Sequence, residues 1–196
     1  MKPFVVAVSG EKDHGKSTLA RMTAEMISRQ FAVKTHVEHL ALPMYQMMAI
    51  FTGDKDFVDN PEEVKLREYK FENDTWTGTE LLQDIAQRYA REYFGGGTWA
   101  NLWKKRVMVH PQDSIVFVPD SRMPNERAFC DMGIWISAPG VVTKQNTNHE
   151  TERHLHVMKE QAEIHVVRTD DQYDPCLRDI AGKIVVRYSE RTLGGL

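Results

Sequence analysis

Eight residues near the start of the chain, Gly10-Glu11-Lys12-Asp13-His14-Gly15-Lys16-Ser17, have the types and the spacing to hold phosphate. Two glycines frame a stretch whose backbone must bend until its N–H groups converge on an anion. The lysine offers a charge that reaches β- and γ-phosphates, and the serine hydroxyl is an oxygen ligand for Mg²⁺. The pattern G-x-x-x-x-G-K-[ST] carries this meaning between a strand and a helix, and both flanks comply. Phe4-Val5-Val6-Ala7-Val8 is short, apolar and rich in valine, as a buried parallel strand should be. From Thr18 to Gln30, Leu19, Met22, Met26 and Ile27 fall on one helical face. Asp13, His14, Gly15, Lys16, Ser17 and Thr18 are therefore the expected contacts to a nucleoside triphosphate.

A second group of residues has matching chemistry. Ile115-Val116-Phe117-Val118 reads as a buried strand that delivers Asp120-Ser121-Arg122 at its carboxyl end. A carboxylate there can hold the Mg²⁺ shell, and an arginine two residues on can clamp an acceptor phosphate or the transferring phosphoryl group. In isolation D-x-R is unspecific, because aspartate commonly caps a following helix and arginine commonly pairs with an acid. Behind a phosphate loop it has a defined use. Markers of other loop-bearing classes are absent. There is no N-K-x-D string, no LSGGQ-type string, and the D-x-x-G at Asp179 to Gly182 falls in a terminal helix.

The elements that must position these residues follow from the rest of the chain. Val33 to Val37 reads as a second strand, and Met44 to Phe51 as a helix opened near Pro43 and closed by Thr52-Gly53. Residues 54 to 75, with eight Asp or Glu against four Lys or Arg, read as a mobile acidic insertion with short helices. Thr79 is the expected cap of a helix from Glu80 to about Phe94, ended by Gly95-Gly96-Gly97, and Trp99 to Val109 resumes as helix. Pro124 opens a helix to Met132, Gly133 stops it, and Ile134 to Ile136 and Ile164 to Arg168 are strands. Residues 139 to 161 are polar and read as a loop-plus-helix lid, and Pro175 opens the last helix. The expected fold is α/β, a five-stranded parallel sheet flanked by helices, with ligands beyond the carboxyl ends of the strands. There Ser9, Glu38, Asp120, Ala138 and Arg168 should emerge.

Composition sets the outer limits. The chain has 196 residues, 41% apolar and 27% charged, which suits one α/β domain rather than two. Its formal net charge of −3 gives no general reason to bind nucleic acid or an anionic membrane. Two cysteines outside any C-x-x-C pair point to a reducing, cytoplasmic setting, and neither a signal peptide nor a membrane span is expected.

Taken together, the motifs resemble the bacteriophage deoxynucleoside monophosphate kinase family. The segments that carry the resemblance are Val5 to Thr18, Leu40-Ala41-Leu42-Pro43, Leu81-Leu82-Gln83 with Trp99, Val118 to Glu126, Ala138-Pro139-Gly140 and His149-Glu150-Thr151-Glu152. They occur in order over most of the chain, and the D-x-R-x-x-N-E string is the most specific. The resemblance implies a P-loop nucleoside-monophosphate-kinase-like fold, with one domain over 1–196, an acceptor-binding insertion at about 40–110 and a lid at about 139–161. It implies transfer of the γ-phosphoryl of ATP to a deoxynucleoside monophosphate with Mg²⁺, in the host cytoplasm if the chain is of phage origin. Homodimerisation stays open. Ala138 stands where many relatives carry arginine, and Ile85-Ala86-Gln87 replaces an L-G-T-like run, so base preference does not carry over.

Within that frame Lys16, Asp120, Arg122 and Arg153 are the expected catalytic residues, and Ser17 and Asp120 the metal ligands. Arg153 reads as a lid arginine; it occupies the fifth position of His149-Glu150-Thr151-Glu152-Arg153, which excludes the H-E-x-x-H zinc pattern. Arg67 could grip the monophosphate or form a surface ion pair. Arg88 faces the cleft or solvent, and Trp99 stacks on the acceptor base or anchors packing. Glu126, four residues beyond Arg122, could pair with it, and the resemblance makes an acceptor contact an equal reading. Two other functions remain: a kinase for another nucleoside-type acceptor, including a hydroxymethylated pyrimidine, and a regulatory ATPase with no acceptor.

Overall fold

A computed structural model describes residues 2–141, 154–169 and 174–194. In chain order the elements begin with β1 (Phe4–Gly10), α1 (Lys16–Phe31), β2 (Lys34–Val37), α2 (Leu42–Thr52), α3 (Asp56–Asp59) and α4 (Pro61–Val64). A short hairpin of β3 (Glu68–Lys70) and β4 (Thr75–Thr77) follows, then α5 (Gly78–Glu80), a π-helical stretch (Leu81–Tyr89), α6 (Ala90–Phe94) and α7 (Thr98–Val107). The chain continues through β5 (Ser114–Val118), α8 (Pro124–Arg127), β6 (Met132–Ser137), α9 (Leu155–Glu160), β7 (Ile164–Val167) and α10 (Asp174–Leu193).

Five strands pair in parallel in the order β2-β5-β1-β6-β7. Every residue of β1 is buried, which explains its unbroken apolar run: a central parallel strand has helices on both faces. On one face Phe4, Val6 and Val8 of β1 pack with Leu19, Ala20 and Ile27 of α1 and with Leu177, Ile180 and Ile184 of α10. On β6, Trp135 joins a separate cluster with Leu155 and Met158 of α9. The chain runs from β1 out to β2, returns to β5, and then crosses β1 to reach β6. The loop after β1 therefore lies at the switch point, where α/β sheets open a crevice.

Two compact units divide the residues: Met1–His39 with Arg106–Leu196, and Leu40–Lys105. The sheet belongs to the first. In the second, Met44 and Met48 of α2, Phe57 of α3, Val64 of α4, Leu81 and Leu82 are buried.

Four local expectations change. The helix expected over Pro124 to Met132 is a single turn, and Met132 and Gly133 already belong to β6. Gly133 does not stop a helix; it makes room for a guanidinium, since a Cβ there would lie 2.6 Å from Arg127 Nε. Helix capping falls to Thr77 rather than Thr79, with Glu80 returning a bond to the Thr77 N–H at 2.7 Å. The acidic insertion contains the β3–β4 hairpin, whose three-residue strands carry too few apolar side chains to signal themselves. Of the expected lid, residues 142–153 lie outside the described residues. Its end is anchored: Leu155 and Met158 are 8% and 1% exposed against Trp135. Among the described residues no helix is long and apolar enough to cross a membrane.

Candidate functional site

The loop between β1 and α1 begins where side chains are sterically forbidden. At Gly10 a Cβ would sit 2.4 Å from the Ile136 carbonyl oxygen of β6, so only glycine lets the loop leave this close to its neighbour. Asp13 (φ 62°) and Gly15 (φ 90°) occupy the left-handed region and turn the chain into α1. Gly15 is the N-cap of α1, no side chain caps it, and no acidic residue lies in the first turn. The positive end of a 16-residue helix is thus left without a compensating side chain, a position that favours an anion. Ser17 and Thr18 are exposed at that end.

Lys16 is 9% exposed and folds back over the loop, its Nζ donating to the Glu11 carbonyl at 2.6 Å. His14 is buried beneath, 5% exposed, with Nε2 at 3.7 Å from a Glu11 carboxylate oxygen. Its buried Nδ1 makes no hydrogen bond with the described residues.

Beside this loop, β5 ends in Pro119-Asp120-Ser121-Arg122. The Asp120 carboxylate is 22% exposed, and His39 Nδ1 stands 3.9 Å from its Oδ2. Ser9, at the end of β1, donates its hydroxyl to the Ser121 carbonyl at 2.9 Å, with both residues buried. That bond joins the strand of the phosphate loop to the D-x-R loop. Glu126 reaches back to the backbone of the same loop. Its Oε2 accepts the backbone N–H of Arg122 at 2.8 Å and that of Met123 at 3.0 Å. Ser17 and Asp120 supply hydroxyl and carboxylate oxygens, the donor set that Mg²⁺ takes, and both are accessible.

No protein-family model matches the chain, and no curated protein matches it. Among solved structures it is similar to a plasmid partition protein of Borrelia burgdorferi B31 bound to AMPPNP. Identity is 12% over 97% of this chain and 100% of that one, with a TM-score of 0.42. The overlap is loose, and the fold rests on this chain's own sheet: α/β, five parallel strands flanked by helices, with the Gly10–Ser17 loop at the switch point.

The remaining expected residues lie apart from that loop in sequence. In the Leu40–Lys105 unit, Arg67 is held by Asp54 and by Asp56 at 3.0 Å, and Tyr69 donates to Asp54 at 2.7 Å. Burial alone would raise the Asp54 pKa, but hydrogen bonds from Tyr69, the Asp56 N–H and Arg67 bring it below the usual carboxylate value. Tyr69 is pushed up to about 12, by burial first and then by Asp54. Arg88 is exposed and lies 3.4 Å from both Asp84 and Glu92, a ladder at i±4 spacing. Trp99 is 9% exposed, which suits the packing anchor. Arg153 lies outside the described residues.

Sequence reasoning placed Glu38 at the ligand-facing end of the sheet but missed His39 beside it and the side chains that Glu38 gathers. Glu38 accepts from His110 Nε2 at 2.9 Å and lies 3.4 Å from Arg106, and the His110 ring stacks on His36 at 4.2 Å. Arg106 is therefore engaged with Glu38. The available signal was position: Glu38 and His39 directly follow β2 at the ligand-facing end of the sheet.

Proposed function

We propose that the chain binds ATP on the Gly10–Ser17 loop and transfers its γ-phosphoryl group to a deoxynucleoside monophosphate, giving the diphosphate. The observation that carries this reading is the bond from Ser9 to Ser121. It joins a strand leading to an uncapped helix N-terminus with a loop bearing one carboxylate and one arginine. A donor cradle beside a second phosphate-binding cation is the arrangement phosphoryl transfer requires, because positioning and charge neutralisation carry most of the catalysis.

In the reaction, N–H groups at the start of α1 hold the donor phosphates, and Lys16 moves from the Glu11 carbonyl onto the transferring group. Arg122 bridges acceptor and donor phosphates through its planar fork of donors. Ser17 and Asp120 would hold Mg²⁺, which supplies neutralising charge when bound. Arg153 is assigned to the phosphates on closure. The attacking atom is an ionised phosphate oxygen, so no general base is needed.

The test is a coupled assay of ADP release with each of the four deoxynucleoside monophosphates. The expected result is stimulation by at least one of them, with its diphosphate as product. Lys16→Ala should abolish transfer while the circular dichroism spectrum stays unchanged, since a lost transition-state charge contact costs about a hundredfold or more. Steady ATP hydrolysis that no monophosphate alters would reassign the chain to a regulatory ATPase. Transfer only to a nucleoside or a hydroxymethylated pyrimidine would replace the acceptor and keep the loop.

A further inference from the structure

The peptide unit between Ser121 and Arg122 has both of its polar atoms engaged. Its carbonyl accepts the Ser9 hydroxyl at 2.9 Å, and its N–H donates to Glu126 Oε2 at 2.8 Å. One partner belongs to the strand that carries the phosphate loop; the other comes from the turn that follows. The same carboxylate oxygen takes the next N–H, that of Met123, at 3.0 Å. Pro124 then opens the helical turn, so the donor after Met123 is absent by chemistry and the two bonds have no competitor from that residue. Glu126 is 7% exposed. A buried carboxylate is costly unless strong donors satisfy it, and charged acceptors bind N–H groups about twice as strongly as neutral ones.

We propose that Glu126 is a positioning residue: with Ser9 it locks the Ser121–Arg122 peptide plane and so fixes the root of the Arg122 side chain relative to the phosphate loop. This rests on the reading of Arg122 as the phosphate clamp. It is distinct from the two roles suggested for Glu126 by the sequence, an ion pair with the Arg122 guanidinium and a contact to the acceptor. A guanidinium that must span two phosphates loses most of its effect when its root tilts, since misplacement by about 1 Å costs on the order of a hundredfold in rate. Glu126 would then govern turnover without touching either substrate.

Four variants and one physical readout test this. Amide hydrogen exchange on the substrate-free protein should show protection lost at Arg122 and Met123 in Glu126→Ala and largely kept in Glu126→Gln, whose amide oxygen can accept the same bonds. Glu126→Ala should lower kcat at least tenfold while KM for ATP stays within about twofold, with Glu126→Gln restoring most of the rate. The double variant Arg122→Ala with Glu126→Ala should be no slower than Arg122→Ala alone, because a residue that acts only through another adds nothing once that other is gone.

Unchanged exchange at Arg122 and Met123 in Glu126→Ala would overturn the proposal. So would a double variant much slower than Arg122→Ala, or a Glu126→Gln that is as impaired as Glu126→Ala and loses affinity for the acceptor; both point to direct contact. If the wild-type protein transfers phosphate to no deoxynucleoside monophosphate, the clamp reading of Arg122 falls and the positioning role falls with it. The exchange result would still report the Glu126 bonds separately.

Discussion

Ser9 and Ser121, distant in sequence, meet through a hydroxyl-to-carbonyl hydrogen bond of 2.9 Å in which both residues are buried. Removing the donor leaves a buried carbonyl without that partner. Ser9→Ala should destabilise the protein by about 1–3 kcal/mol. For a chain of this size that corresponds to several degrees in Tm, and phosphoryl transfer should slow with it. A Tm within 1 °C of wild type, read by calorimetry, would show that the bond contributes nothing.

Gly10→Ala should be more severe. The added Cβ would lie 2.4 Å from the Ile136 carbonyl oxygen and 2.9 Å from the Ile136 Cγ2, so β1 or β6 must shift. The expected loss is more than about 2 kcal/mol in urea unfolding. ATP affinity, measured by calorimetry on the fraction that stays folded, should fall together with it. Gly96→Ala is the control, because nothing lies within 4 Å of the atom it adds.

Acid should weaken the fold through His36. Its pKa is held below the ordinary 6.5 by burial first and by the facing His110 second, with Lys34 adding to the effect and Glu38 opposing it. The unfolded chain therefore takes up a proton on this histidine before the folded chain does. Stability is full above about pH 6.5 and declines as pH falls from there toward the lower folded value, where the loss is complete. His36→Gln should flatten that part of the stability curve between pH 7 and 5. An identical slope in the variant would assign the acid sensitivity elsewhere.

Asp131 ties both ends of the first unit together. Its Oδ2 accepts from Lys2 at 2.6 Å, from Arg191 of α10 at 2.9 Å and from the Val5 N–H of β1 at 2.8 Å. Arg191 also donates to the carbonyls of Pro3 and Lys2. Asp131→Ala should cost about 2 kcal/mol and increase hydrogen exchange at Val5, because a β1 donor loses its acceptor and two cations lose their shared anion. Asp131→Asn should recover part of the stability.

Much of the sheet was legible because a parallel strand buried on both faces must be apolar throughout. Phe4 to Val8 and Ile115 to Val118 announced themselves in that way. The sharp turn from Gly10 to Gly15 was legible because its glycines answer to steric limits that hold in any chain. What escaped was partly local and partly set by tertiary contacts. Two threonines, Thr77 and Thr79, compete for one helix start. The Thr77-x-x-Glu80 box decides it, a rule readable in the sequence and passed over. Gly133 resembled a helix stop because its real reason, the Arg127 guanidinium, sits on another element. The bonds of Glu126 to the Arg122 and Met123 N–H groups could not be read from spacing, because they run to the backbone that precedes a one-turn helix.

The pairing pattern has a consequence for how the protein is made. Phe4 pairs with Ile115 and Ser9 with Trp135, so both neighbours of the central strand lie more than 100 residues downstream. During synthesis β1 and α1 leave the ribosome long before either neighbour exists, and only one face of β1 can be covered locally. At about 5–20 residues per second that interval lasts on the order of ten seconds, with an apolar strand unpaired at both edges. The Leu40–Lys105 stretch that separates β1 from its partners adds little to the equilibrium cost, because doubling a loop adds only about 0.6 kcal/mol. Its cost is in time, and the period of greatest aggregation risk for this chain is set by the length of its own insertion.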